Sequence, residues 1–211
     1  MSQPQEIVRP FDDHYPTDSE CVLALLSVEK FSGGIWECAA GDGAMAAVLR
    51  EAGHTVRAST MYEGRHDRDF PKHKVVGNVD FLTEIETKHP NIITNPPYGK
   101  LYGDTDRKAA EKFVRHALSL KPHKVAMLLP MQFWGGQDRM NGLYEEFRPS
   151  RIWQFADRIK FYPHGVDKEK LNTPSHYFGW FVWDMPLTGA WPTIGLINSK
   201  NFKTPQPSLD R

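Results

Sequence analysis

The run Asn91-Ile92-Ile93-Thr94 is apolar enough for a buried strand, and it ends at Asn95-Pro96-Pro97-Tyr98-Gly99. Two successive prolines lack the N–H groups that a sheet ladder needs, so the chain has to leave the sheet at Asn95. That exit offers a side-chain amide, backbone carbonyl oxygens and the aromatic ring of Tyr98. Such a set accepts hydrogen bonds from an –NH2 group while a flat ring stacks on the tyrosine.

An exocyclic amine on an aromatic base is a weak nucleophile, because its lone pair is conjugated into the ring. Two acceptors, Asn95 Oδ1 and the Pro96 carbonyl, hold both N–H bonds, favour a localised lone pair and stabilise positive charge developing on nitrogen. No strong general base is then required. In these residues the chain resembles the catalytic motif of amino-methyltransferases that use S-adenosylmethionine, above all the DNA adenine-N6 family. The resemblance implies catalytic roles for Asn95, Pro96, Pro97 and Tyr98.

The segment Gly34 to Gly43 reads as a strand followed by a tight glycine turn and a helix from Ala44 to Ala52, which Gly53 stops. Gly41 and Gly43 let the backbone pass close to a ligand, since no Cβ intervenes. Glu37 is the odd residue, a carboxylate at the end of an apolar strand that can meet an ammonium group directly or through water. This is similar to the glycine-rich first motif of class I methyltransferases and implies cofactor contacts from Glu37, Ala39, Gly41 and Gly43. Gly41 to Ala46 also satisfies the dinucleotide pattern G-x-G-x-x-A, with Glu63 at a distance suited to a ribose, but that reading explains neither Glu37 nor Asn-Pro-Pro-Tyr.

Three more segments fit the same resemblance. Tyr15-Pro16-Thr17 is similar to the aromatic-x-Thr segment that lines the methionine end of the cofactor, implying contacts from Tyr15 and Thr17. Thr17-Asp18-Ser19-Glu20 equally fits a capping box for the helix that follows. At the end of the strand Thr55 to Thr60, Thr60 stands where the family carries an acid on the ribose hydroxyls; this departure removes a charge-assisted pair, or leaves Glu63 to reach back. Asp80-Phe81 resembles the third motif, which implies that Asp80 accepts from the cofactor's adenine amine and that Phe81 meets the ring through its backbone.

The remaining pattern predicts strands over Val75–Leu82, Lys124–Leu129, Arg151–Ala156 and His176–Trp183, with helices over Asp106–Leu120 and Gln137–Phe147. Phe133 and Trp134 suit base stacking but fit a core equally well. The basic segments Gly64–Lys74 and Arg158–Pro174 read as solvated loops or as nucleic-acid contacts, and Gly99–Thr105 as a polar loop beside the acceptors. Alternating strands and helices imply an α/β, doubly wound, mostly parallel sheet of about seven strands whose last strand is antiparallel, matching the Rossmann-like class I methyltransferase arrangement. Residues 1–185 form the expected catalytic domain, and residues 186–211, Pro/Gly-rich and polar, a tail or packing arm.

Charge narrows the partners. The 26 basic and 26 acidic residues cancel, so any nucleic-acid contact has to come from a local basic face. The two cysteines form no CxxC pair, the histidines show no zinc-like spacing, and no apolar run reaches membrane-spanning length. The expectation is therefore a cytoplasmic protein without metal or membrane anchor. The resemblance implies S-adenosylmethionine as cofactor and DNA as substrate, with flanking bases read by loops or by a separate recognition protein. RNA adenine, a protein glutamine amide, or a non-catalytic binding role are the competing readings.

Overall fold

The computed structural model describes residues 17–61, 74–98, 108–159 and 177–202. Eight strands form one sheet: β1 (Ile35–Glu37), β2 (Val56–Ser59), β3 (Val75–Val76), β4 (Asn91–Thr94), β5 (Lys124–Pro130), β6 (Arg151–Phe155), β7 (Phe178–Asp184) and β8 (Thr193–Ile197). Their order is β3-β2-β1-β4-β5-β7-β6-β8. Strand β7 runs antiparallel to both β5 and β6, and every other pairing is parallel. The order reverses between β1 and β4, and in sheets of this kind the carboxyl ends of the strands at that switch point are where a ligand crevice is expected.

Helices α1 (Ser19–Val28), α2 (Ala44–Glu51), α3 (Ala109–Ser119), α4 (Gln137–Met140) and α5 (Leu143–Glu146) complete the described elements. Side chains alternate between faces along each strand, and this divides the core in two. Ile93, Ala126, Leu128, Trp180 and Val182 pack with Cys21, Leu25, Met45 and Leu49 on one face. Ile92, Val125, Met127, Leu129, Phe181 and Trp183 pack with Phe113, Val114 and Ala117 on the other. Each of the buried tryptophans also finds an acceptor: Trp36 Nε1 donates to Ser59 Oγ, Trp180 to the Cys21 carbonyl and Trp183 to the Phe147 carbonyl.

Four expectations need correction. The sheet has eight strands, not about seven; the eighth pairs with β6 from within the segment after Pro186, where proline and glycine disguise the short run Thr193–Ile197. Antiparallel β7 is therefore not the last strand. Only Val75–Val76 of the predicted third strand is extended, and Phe81–Thr83 is a 3-10 turn capped by Asp80. The helix predicted over Gln137–Phe147 breaks into two at Asn141-Gly142, where a Cβ on Gly142 would stand 2.9 Å from the Asp138 carbonyl oxygen.

A partly buried ionic cluster centred on Glu29 ties the opposite end of the strands. Glu29, following α1, accepts from Lys124 Nζ at 2.7 Å, from Arg151 and from Trp153 Nε1 at 2.8 Å, while Asp184 meets Arg151 Nη1 at 2.6 Å. These residues join the starts of β5 and β6 to the end of β7, away from the crevice. Among the described residues no helix is long and apolar enough to cross a membrane.

Candidate active site

Strand β1 delivers Glu37 to the crevice, and the turn after it doubles back tightly. Ala40 N–H donates to the Ser59 carbonyl and Gly43 N–H to the Ala40 carbonyl at 2.7 Å. Gly41 has φ 52° and Gly43 has φ 79°, left-handed values that favour glycine at both positions. Buried Asp42 accepts from Ala44 N–H at 3.0 Å and so starts α2.

Glu37 is 2% exposed, and its Oε2 is buried without a hydrogen-bond partner. Burial, with Asp42 adding to it, pushes this carboxyl well above the usual carboxylate range; Arg50 and the Ala46 N–H pull the other way. A cation reaching this oxygen would find a desolvated acceptor waiting.

Strand β2 ends beside the same crevice. Thr60 is 4% exposed, its N–H donates to the Val76 carbonyl, and its carbonyl accepts from Val79 N–H. Those bonds bring Asp80 next to the end of β2. Asp80 is exposed, and its Oδ1 accepts from Leu82 N–H at 3.0 Å, capping its own turn. Phe81 points inward and meets Trp36 edge-on at 5.2 Å and Phe113 at 5.1 Å, so its side chain belongs to the core.

Strand β4, neighbour of β1, ends at Asn95. Asn95 is half-buried, Pro96 buried, and Pro97 and Tyr98 half-buried. Asn95 Nδ2 donates to Thr17 Oγ1 at 3.0 Å. Thr17 is therefore not the helix cap that the capping-box pattern predicts: Asp18 occupies that position, with no side-chain cap bond. A hydroxyl has little reason to cap locally when a half-buried amide sits opposite it. Tyr98 Oη donates to Asn95 Oδ1 and also lies 3.1 Å from the Leu128 carbonyl oxygen. Its ring packs on Phe178 at 5.8 Å between centroids and touches both halves of the core.

Strand ends and hydrogen bonds thus gather Thr17, Asn95 and Tyr98 into one cluster, with Glu37, Gly41 and Gly43 on the adjoining strand's turn and Thr60 and Asp80 beyond. Tyr15, Glu63 and the loop Gly99–Thr105 lie outside the described residues. Phe133 is core, packed on Phe181 and Tyr144. Trp134 packs partly buried against Tyr144 and Trp191. Sequence reasoning missed the Leu128 carbonyl, which carries no sequence signal.

No protein-family model matches this sequence, and none of the curated proteins resembles it in sequence. Solved structures do share its shape. A protein of Listeria monocytogenes described as a class I S-adenosylmethionine-dependent methyltransferase superposes with a TM-score of 0.56 at 15% identity, over 91% of this chain and 68% of that one. A Pyrococcus horikoshii protein described as an RNA methyltransferase gives 0.54 at 14% identity, over 78% and 80%. The M protein of the type I restriction enzyme EcoKI gives 0.54 at 14% identity, over 82% of this chain and 44% of that much longer one. With the sheet order and the lone antiparallel strand, these likenesses establish that the chain has the Rossmann-like class I methyltransferase fold.

Proposed function

We propose that this chain transfers a methyl group from S-adenosylmethionine to the exocyclic N6 amine of adenine in DNA, after the base has swung out of the duplex. The observation that carries this reading is the Asn95 amide, held at the end of β4 by Thr17 and Tyr98 beside the glycine turn of β1. The residues of the turn fit such a cofactor: Glu37 Oε2 is a buried acceptor in need of a donor, and Gly41 and Gly43 keep the backbone bare. Thr60 is the one departure, a buried hydroxyl where a ribose would favour a carboxylate.

When bound, the cofactor supplies an electrophilic methyl group on a sulfonium. Asn95 Oδ1 and the Pro96 carbonyl accept the two N–H bonds of the amine, and Tyr98 offers its ring to the base. Glu37 balances the ammonium end and Asp80 accepts from the cofactor's adenine amine. Residues 1–185 form the catalytic unit and the 186–211 arm packs onto it by adding β8 beside β6, while flanking bases are read by loops or a separate recognition protein.

The likeness to the EcoKI M protein supports DNA, and the likeness to the Pyrococcus protein supports RNA adenine as the second reading. Purified protein with methyl-labelled S-adenosylmethionine and separate DNA, RNA and protein pools decides between them, with mass spectrometry of the product. N6-methyladenine in DNA is the expected result. Label in RNA or on protein glutamine alone moves the substrate. Absence of label from all three, with no heat of cofactor binding in calorimetry, overturns the enzyme reading.

A further inference from the structure

The Asn95 amide lies between two hydroxyls. Its Nδ2 donates to Thr17 Oγ1 at 3.0 Å, and its Oδ1 accepts from Tyr98 Oη. The same phenol oxygen is 3.1 Å from the Leu128 carbonyl oxygen at the end of β5. A phenol carries one proton, so it serves only one of these acceptors at a time.

We propose that Tyr98 is a hydroxyl latch on Asn95: its O–H holds Asn95 Oδ1 before substrate arrives and turns onto the Leu128 carbonyl when the amino group of a planar substrate takes that oxygen, while Thr17 anchors the amide throughout. The inference rests on the amino-transfer reading above and adds to it two positioning residues and a reason for their geometry.

Three features support it. The Tyr98 ring is wedged against Phe178 and both core clusters, so the exchange needs rotation of a proton and no displacement of the ring. The half-buried Asn95 oxygen keeps a partner in both states, and an unbonded buried acceptor would be costly. An unanchored amide could turn over and present Nδ2, which would repel an incoming N–H donor. Buried Thr17, accepting from Nδ2 while the Tyr98 O–H donates to Oδ1, keeps the amide oxygen on the Tyr98 side, which favours hydrogen-bond donors such as an amine over carbonyl-only groups.

The first test needs no substrate. In the full-length chain, asparagine side chains are labelled with 15N and the Asn95 pair is identified by its loss in Asn95→Asp. Thr17→Val, isosteric but without the oxygen, should make the Nδ2 protons exchange with water about tenfold faster, and Thr17→Ser should restore protection. Tyr98→Phe should shift the Asn95 resonances while leaving the Thr17-bonded proton protected. Unchanged exchange in Thr17→Val overturns the anchor. Protection lost in Tyr98→Phe and kept in Thr17→Val means that the amide faces the other way, and overturns the latch.

The second test uses the same variants in methyl transfer to unmethylated double-stranded DNA. Thr17→Val and Tyr98→Phe should each lower kcat about five- to tenfold, with KM and the Kd for S-adenosylmethionine within about twofold of wild type, and neither should lower the residual rate of Asn95→Ala further. A simple loss of fold would move Kd as well. Wild-type turnover in both variants beside an inactive Asn95→Ala overturns the latch and leaves the amino-transfer reading intact. An Asn95→Ala protein that methylates normally overturns that reading and the latch's role with it.

Discussion

Asn95 and Thr17, 78 residues apart, are joined by a hydrogen bond of 3.0 Å from amide nitrogen to hydroxyl. The bond fastens the entry to α1 onto the exit from β4. The acceptor cluster is thereby referenced to two rigid elements rather than to a loop, which is what a group that positions a reacting atom requires.

Replacing Asn95 by Ala should lower methyl transfer by about 10² to 10³, the range for removing one preorganised group that stabilises transition-state charge. Cofactor affinity by calorimetry should stay within about threefold, because Glu37 and the glycine turn are untouched. Loss of cofactor binding in step with activity would mean that Asn95 supports the fold instead.

Glu37 should make stability depend on pH. Its native carboxyl titrates well above its ordinary value of 4.5, first because of burial and then because of Asp42. The native state therefore keeps a proton that the unfolded chain releases, and that contribution is complete below about pH 4.5 and is lost as pH rises through the raised native value. Denaturant midpoints should fall with rising pH more steeply for wild type than for Glu37→Gln, and parallel curves would refute the shift.

Glu29 should matter for folding and not for chemistry. Its burial acts to raise the carboxyl's pKa, but bonds from Arg151, Lys124 and Trp153 outweigh it and leave the group below its ordinary value. Its contribution is present above that ordinary value and is lost as pH falls through the lowered one. Glu29→Ala leaves Lys124 and Arg151, at the starts of β5 and β6, with Asp184 as their remaining acidic partner, and urea titration should show a loss of about 1 to 3 kcal/mol.

Gly179 sits in β7 with strands on both sides. A Cβ there would lie 2.9 Å from Met131 Sδ, 3.0 Å from the Trp153 carbonyl oxygen and 3.2 Å from Gln154 Cα. Two of those atoms are backbone of the paired strand and cannot swing away, so Gly179→Ala should cost about 1 to 3 kcal/mol in chemical denaturation.

Much of this molecule was readable one residue at a time. The short apolar run Lys124–Leu129 closed by Pro130, the proline stop after Asn95 and the glycine pair around Asp42 are local signals, because run length, missing N–H groups and absent Cβ atoms act within a few residues. They sufficed for the fold class and for the strand ends that converge on the crevice. What only the tertiary structure decided depends on partners far along the chain. Thr17 leaves the helix cap for Asn95, the Tyr98 hydroxyl meets both Asn95 and the Leu128 carbonyl, and Thr193–Ile197 becomes a strand because β6 offers an open edge. A side-chain hydroxyl or a short apolar run carries no mark of its partner, and which one it takes is settled by what the packed sheet brings within bonding distance.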